Sequence, residues 1–143
     1  MNRLYAEETL LKPDPGGKKY RNKKAMVYGI EFDSVHEAQR YMLLRQKEQK
    51  GEIRNLRTQV PFLLIPTQVA TYPRYSVRTG KRLKDGERVL ERACSYVADF
   101  VYEDIGTGMT VVEDAKSKAT RTEAYRIKKK LMLMVHKIHV QEV

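Results

Sequence analysis

One cysteine, Cys94, stands in a chain of 143 residues, so an internal disulfide is excluded. The three histidines do not stand with it at the spacing of zinc ligands, which removes a zinc site from the expectations. Cys94 lies among strand-forming residues and reads as a buried or half-buried thiol. No apolar run approaches the roughly 20 residues that cross a bilayer, and Met1-Asn2-Arg3-Leu4 lacks the apolar segment of a signal peptide. A cytoplasmic protein with no membrane partner is therefore expected. No internal repeat is present, and the length suits one compact domain with a core of its own.

Positive charge is abundant. Against 18 Asp and Glu stand 28 Lys and Arg, a formal net charge of +10. Such a field attracts polyanions, most simply nucleic acid, although solubility alone is the plainer account. Placement favours the first. Lys18, Lys19, Arg21, Lys23 and Lys24 crowd into one short run, where they would hold phosphates without reading bases. Just before it, Lys12-Pro13-Asp14-Pro15-Gly16-Gly17 is rich in helix and strand breakers. Residues 1–25 thus read as a basic, loosely structured arm and residues 26–143 as the domain.

Within the domain, Val35, Ala38, Tyr41, Met42 and Leu44 recur at helical spacing between Ser34 and Gln49, and Gly51 supplies a stop. Ile53 to Ile65 reads as a strand whose Pro61 suits an edge or a bulge. The stretch from Tyr72 to Arg92, with Asp85-Gly86 as its turn signal, reads as a hairpin. Its charges fit a protected exposed edge slightly better than a DNA contact. Residues 93–103 and 109–117 form a second hairpin. A helix follows over about Thr122 to Val135, with Ala124, Ile127, Leu131 and Met134 inward and Arg126, Lys129 and Lys130 outward. Lys137 to Val143 closes as a strand with Ile138 and Val140 inward. The order αβββαβ predicts an α/β fold, a mixed sheet flanked by helices.

The second hairpin carries the chemistry. Asp99 ends the run Tyr96-Val97-Ala98, and Asp114-Ala115-Lys116 ends the run Met109-Thr110-Val111-Val112. A strand sends residues i and i+2 to one face, so Asp114 and Lys116 stand side by side while Ala115 and Glu113 face the other way. Glu113 is accordingly assigned to the surface or to a secondary role. A turn centred on Gly106-Thr107 pairs residues whose numbers sum to 213, which sets Asp99 opposite Asp114. Their Cβ atoms would then lie roughly 4.5 to 5.5 Å apart. A turn centred on Thr107-Gly108 sets Asp99 opposite Lys116 instead, and a three-residue turn breaks the arrangement. Two carboxylates that close repel unless a proton or a cation lies between them. Mg²⁺, with Mn²⁺ as substitute, suits oxygen donors and needs only one or two protein carboxylates. An isolated D-x-K is more often a solvated hairpin face. Here, though, alternation delivers Val97, Val101 and Val112 to the face that carries the charges.

At these residues the chain resembles the PD-(D/E)XK nuclease superfamily, except that Ala98 stands where the signature has proline. It further resembles a phage-encoded family of unknown function within that superfamily. The segments in common are Tyr28 through Ser34, Glu37-Ala38, Leu56 through Pro61, Tyr96 through Phe100, Val112 through Lys116 and Thr122 through Lys130, from about Lys18 to Val143 in all. The resemblance implies a restriction-endonuclease-like core. It implies Asp99, Asp114 and the Ala115 carbonyl as metal ligands, Lys116 as the catalytic lysine and Glu37 as a further acid. Gln59 would lie near the site. By their charge, Arg121, Lys128 and Lys129 are expected to reach DNA beside the basic arm, although a solvated helix face accounts for the lysines almost as well. Glu37 has a second reading from spacing alone, because Ser34-Val35-His36-Glu37 fits a capping box.

The expected function is a Mg²⁺-dependent endodeoxyribonuclease, with branched DNA in phage recombination or replication as the analogous substrate. A homodimer and a host-cell cytoplasmic location accompany that expectation. The alternative is a noncatalytic nucleic-acid-binding replication accessory protein that keeps the fold.

Overall fold

The computed structural model describes residues 23–116 and 121–143. Lys18, Lys19 and Arg21 lie outside them, with most of the expected arm. Lys23 and Lys24 are exposed, and Ala25 is already buried in the first strand.

Strands β1 (Ala25–Val27) and β2 (Ile30–Phe32) are too short for periodicity to signal. They are joined by Tyr28 and Gly29 at φ 50° and 78°, the paired positive φ that a tight two-residue hairpin requires. Helix α1 (Val35–Gln49) opens on Ser34, whose side chain accepts from the Glu37 amide, and buries Glu37, Ala38, Tyr41 and Leu44. Gly51, at φ 74°, turns the chain into β3 (Ile53–Ile65). A separate hairpin follows, β4 (Gln68–Tyr75) and β5 (Arg82–Glu91). The chain then returns as β6 (Cys94–Asp104), β7 (Thr110–Asp114), α2 (Glu123–His136) and β8 (Gln141–Glu142).

The main sheet runs β3-β6-β7-β8, antiparallel except for the parallel β7–β8 pair. It is therefore mixed, and α1-β3-β6-β7-α2-β8 reproduces the order expected from the sequence. Pro61 is accommodated because β3 is an edge strand. One hydrophobic cluster joins Ala38, Tyr41 and Leu44 to Phe100, Tyr102 and Ala115; the other joins Tyr125 and Met132 to Tyr96, Ala98, Val101 and Val112. Phe100 and Val101 are adjacent on β6 and so face opposite ways. The two helices thus cover opposite faces of the sheet. Among the described residues no helix is long and apolar enough to cross a membrane.

Four expectations are corrected. The turn between β4 and β5 lies at Ser76 to Lys81, closed by the Gly80 amide donating to the Ser76 carbonyl at 2.8 Å, and Asp85-Gly86 lies inside β5. Helix α2 turns Tyr125 and Met132 inward, leaving Ala124 exposed and Ile127 and Met134 51% and 62% exposed. The closing strand shrinks to Gln141–Glu142, because Lys137 adopts φ 60° to cap α2 and the Ile138 amide donates back to Met132. Val140 is nonetheless fully buried, and Ile138 packs on the core. Finally, Val97 is exposed whereas Val101 and Val112 are buried, so the three do not share one apolar surface.

Candidate functional site

The loop between β6 and β7 sets the geometry. Asp104 accepts from the Thr107 amide at 2.8 Å and the Thr107 hydroxyl at 3.0 Å, and these donors hold its carboxyl below the usual range. Gly108 supplies a φ of 68° as the chain turns back. The resulting pairs run from Glu103↔Thr110 to Phe100↔Glu113, each summing to 213, and the next step of that register sets Asp99 against Asp114. The sequence expectation for this turn is met.

Both carboxyls are buried. Asp99 is 7% exposed, its Oδ2 accepting from the Ala115 amide at 2.9 Å and its Oδ1 from Gln59 Nε2 at 3.2 Å. Asp114 is 1% exposed, and its Oδ2 accepts from the Tyr96 hydroxyl at 2.7 Å. Its Oδ1 receives no hydrogen bond; Lys116 Nζ lies 3.4 Å away as an ion pair without hydrogen-bond geometry. Burial first, and then the neighbouring Asp114 carboxylate, push Asp99 up to about 7. The Tyr96 hydroxyl is pushed well above its ordinary range by burial and by Asp114, which keeps it a donor.

Lys116 also lies over the Tyr125 ring, 5.7 Å from its centroid. The amides of Lys116 and Val143 both donate to the Asp114 carbonyl at 3.1 Å, bending the chain as β7 ends and β8 pairs. Glu37 stands in the first turn of α1, where Ser34 caps the helix. Ser34 Oγ accepts from its amide at 3.1 Å and donates to its carboxylate at 3.3 Å. Burial raises the Glu37 pKa, the Ser34 hydroxyl lowers it, and Asp33 and Lys116 act in opposite senses after these. Glu37 in turn contributes to raising Asp99, so the two carboxyls share a field.

Gln59 reaches Asp99 at a backbone cost. Thr58↔Phe100 and Val60↔Ala98 place it opposite Asp99, and its φ is 52°, a region unfavourable to any residue but glycine.

Of the two places expected for Glu113, the surface is ruled out: it is 1% exposed. Arg40 Nε and Nη2 donate to its two oxygens at 2.8 and 2.6 Å, and the Tyr102 hydroxyl donates at 2.6 Å. Spacing could not reveal a partner 73 residues away. The pair ties α1 to β7 one residue before Asp114. Tyr96 and Arg40 were the functional neighbours missed. An aromatic three residues before Asp99 and one of two arginines inside the first helix were their only signals.

Three expected DNA contacts are engaged within the chain. Arg121 and Lys129 pair with Glu142 at 2.7 and 2.8 Å, and Lys128 Nζ donates to the Ser95 carbonyl at 2.9 Å. Lys24 pairs with Glu31.

Among the described residues no three His, Cys, Asp or Glu side chains converge as a ready-made metal cage. What converges is a pair of buried carboxylates, one oxygen of which has no donor. Oxygen donors without thiol or imidazole suit a hard cation that keeps most of its waters.

Compared with known families, residues 17–141 match the model of one described as "Protein of unknown function (DUF1064)". No curated protein and no solved structure matches the chain.

Proposed function

The chain belongs to that family of unknown function, and from this premise we propose that it is a metal-dependent endodeoxyribonuclease with a restriction-endonuclease-like core of the PD-(D/E)XK kind. The observation that carries the reading is Asp114 Oδ1: a buried carboxylate oxygen with no hydrogen-bond donor, beside a second buried carboxyl and a lysine. Lys116 supplies charge to this oxygen at 3.4 Å but no hydrogen bond, so its lone pairs remain open to a hard cation.

Asp99 and Asp114 would hold Mg²⁺ or Mn²⁺, with the Ala115 carbonyl as the further ligand implied by the resemblance. When bound, the ion supplies polarisation of the phosphodiester and acidification of the attacking water. The remaining work falls to the chain. Tyr96 and the Ala115 amide orient the two carboxyls by occupying one oxygen of each. Lys116, partly exposed and anchored by Asp114 and the Tyr125 ring, offers its ammonium to phosphate oxygens as their charge grows. Glu37 extends the acidic field and accepts a proton more readily than an ordinary glutamate, because its pKa is raised. The net charge of +10 draws the polyanion in. DNA is the proposed substrate, branched DNA its favoured shape, and the cytoplasm its setting.

The test is incubation with linear, nicked, forked and four-way DNA in Mg²⁺ or Mn²⁺, beside Asp114→Ala and Lys116→Ala. Wild-type cutting with at least a hundredfold loss in both variants supports the assignment. Equal cutting by wild type and variants rejects the site. Binding without cutting favours the accessory protein.

A further inference from the structure

The β4–β5 ribbon packs densely only on itself. With strands of 8 and 10 residues it extends roughly 25 to 30 Å, and a two-stranded ribbon standing alone is marginal in water. Along both strands, one residue is buried: Gly86. A Cβ built on Gly86 would lie 2.4 Å from Tyr72 Cζ and 2.8 Å from Arg74 Cδ. No positive φ demands glycine there, so its role is space. The Tyr72 ring lies on the bare backbone of its cross-strand partner, and 47% of Tyr72 remains exposed.

Cross-strand partners share a face. Ala70↔Arg88, Tyr72↔Gly86 and Arg74↔Leu83 therefore put one tyrosine and two arginines together, with no acid among them. Glu87 and Asp85 lie on the other face, where Thr71 pairs with Glu87, Tyr75 pairs with Arg82, and Arg82 holds Asp85 at 3.0 Å; Glu91 pairs with Gln68 at the end of the ribbon, beyond Ala70. Among the described residues neither Arg74 nor Arg88 has an ion-pair partner.

We infer that this ribbon is an arm for unpaired nucleic acid: Tyr72 stacks on an exposed base while Arg74 and Arg88 hold the phosphates on either side. A supported ring offers its outer π-face to any base, and guanidinium groups pair with phosphate oxygens. Bases inside a duplex are already stacked on both sides, so the ring selects a single-stranded or splayed nucleotide. A second copy of the chain is a poorer occupant, since each brings a net charge of +10 to a face centred on Arg74 and Arg88. The inference deepens the nuclease reading by naming the feature of the substrate that is recognised, yet it is measured without a divalent ion.

The experiment is fluorescence anisotropy in EDTA with a labelled oligothymidine and an abasic strand of equal length. Wild type should prefer the thymidine strand by about tenfold. Tyr72→Ala should lose that preference and Tyr72→Phe keep it. Gly86→Ala, which keeps the tyrosine but fills its seat, should lose it too, with circular dichroism confirming the fold. Joint replacement of Arg74 and Arg88 by alanine should weaken binding to both strands and flatten the salt dependence. Equal wild-type affinity for the two strands, or unchanged preference in Tyr72→Ala and Gly86→Ala, overturns the inference. So does a dimer that these variants dissociate. Base preference with no cleavage under Mn²⁺ would sink the nuclease proposal and leave this one standing.

Discussion

Arg40→Met is the most demanding perturbation of the frame behind the site. Glu113 is 1% exposed and receives two bonds from Arg40 and one from Tyr102. Removing one member of a buried ion pair leaves a stranded charge and costs about 3 to 5 kcal/mol. The Tyr102 hydroxyl remains as a donor, so the lower end, about 3 kcal/mol, is expected. For a chain of this size that corresponds to a fall in Tm of roughly 10 °C. Glu113→Gln should cost less, about 1 to 2 kcal/mol, because the freed Arg40 side chain, 24% exposed, can reach water. Replacing both, as Arg40→Met with Glu113→Leu, should recover most of the loss. Urea denaturation of the wild type, Arg40→Met, Glu113→Leu and their double closes the cycle. A loss under about 1 kcal/mol for Arg40→Met, or a double variant weaker than either single one, would refute the reasoning.

Other outcomes follow from the same geometry. Because the Asp99 pKa is raised from 3.8 to about 7, its contribution to stability is full below about pH 4 and is lost as pH rises through about 7. In EDTA, wild type should therefore weaken relative to Asp99→Asn as pH rises across that window; a difference that calorimetry finds independent of pH counts against the buried pair. Ser34→Ala should cost about 1 kcal/mol and leave cleavage intact, whereas Glu37→Gln should hold stability within about 0.5 kcal/mol and slow cleavage at least tenfold. The reverse pattern makes Glu37 a cap alone. Tyr96→Phe removes the donor to Asp114 Oδ2 and should lower stability by about 1.5 to 3 kcal/mol in urea; an unchanged midpoint would show that the hydroxyl is not needed.

The strand pair at the site was legible because a four-residue loop and strict alternation leave few registers, and Asp104, Thr107 and Gly108 enforce one of them. The face of α2 was not. Its sequence carries two stripes; of the more aliphatic one, Ala124, Ile127 and Met134 are exposed and Leu131 packs at the edge of the core, while Tyr125 and Met132 take the buried positions. Lys128 and Lys129 flank that second stripe and anchor their ammonium groups on Ser95 and Glu142, so charge did not mean outward. Glu113 misled for the same reason, its partner lying on a distant helix. Asp85-Gly86 mimicked a turn because the glycine serves Tyr72 instead.

One residue of β3 has a consequence for engineering. Gln59 holds a left-handed backbone that glycine adopts freely, at a cost of roughly 1 kcal/mol, while its amide steadies Asp99. Selection for heat resistance would favour Gln59→Gly; selection for turnover would keep the glutamine. A thermostable library should therefore accumulate glycine at this position together with declining activity, so that tolerance and performance separate at a single codon.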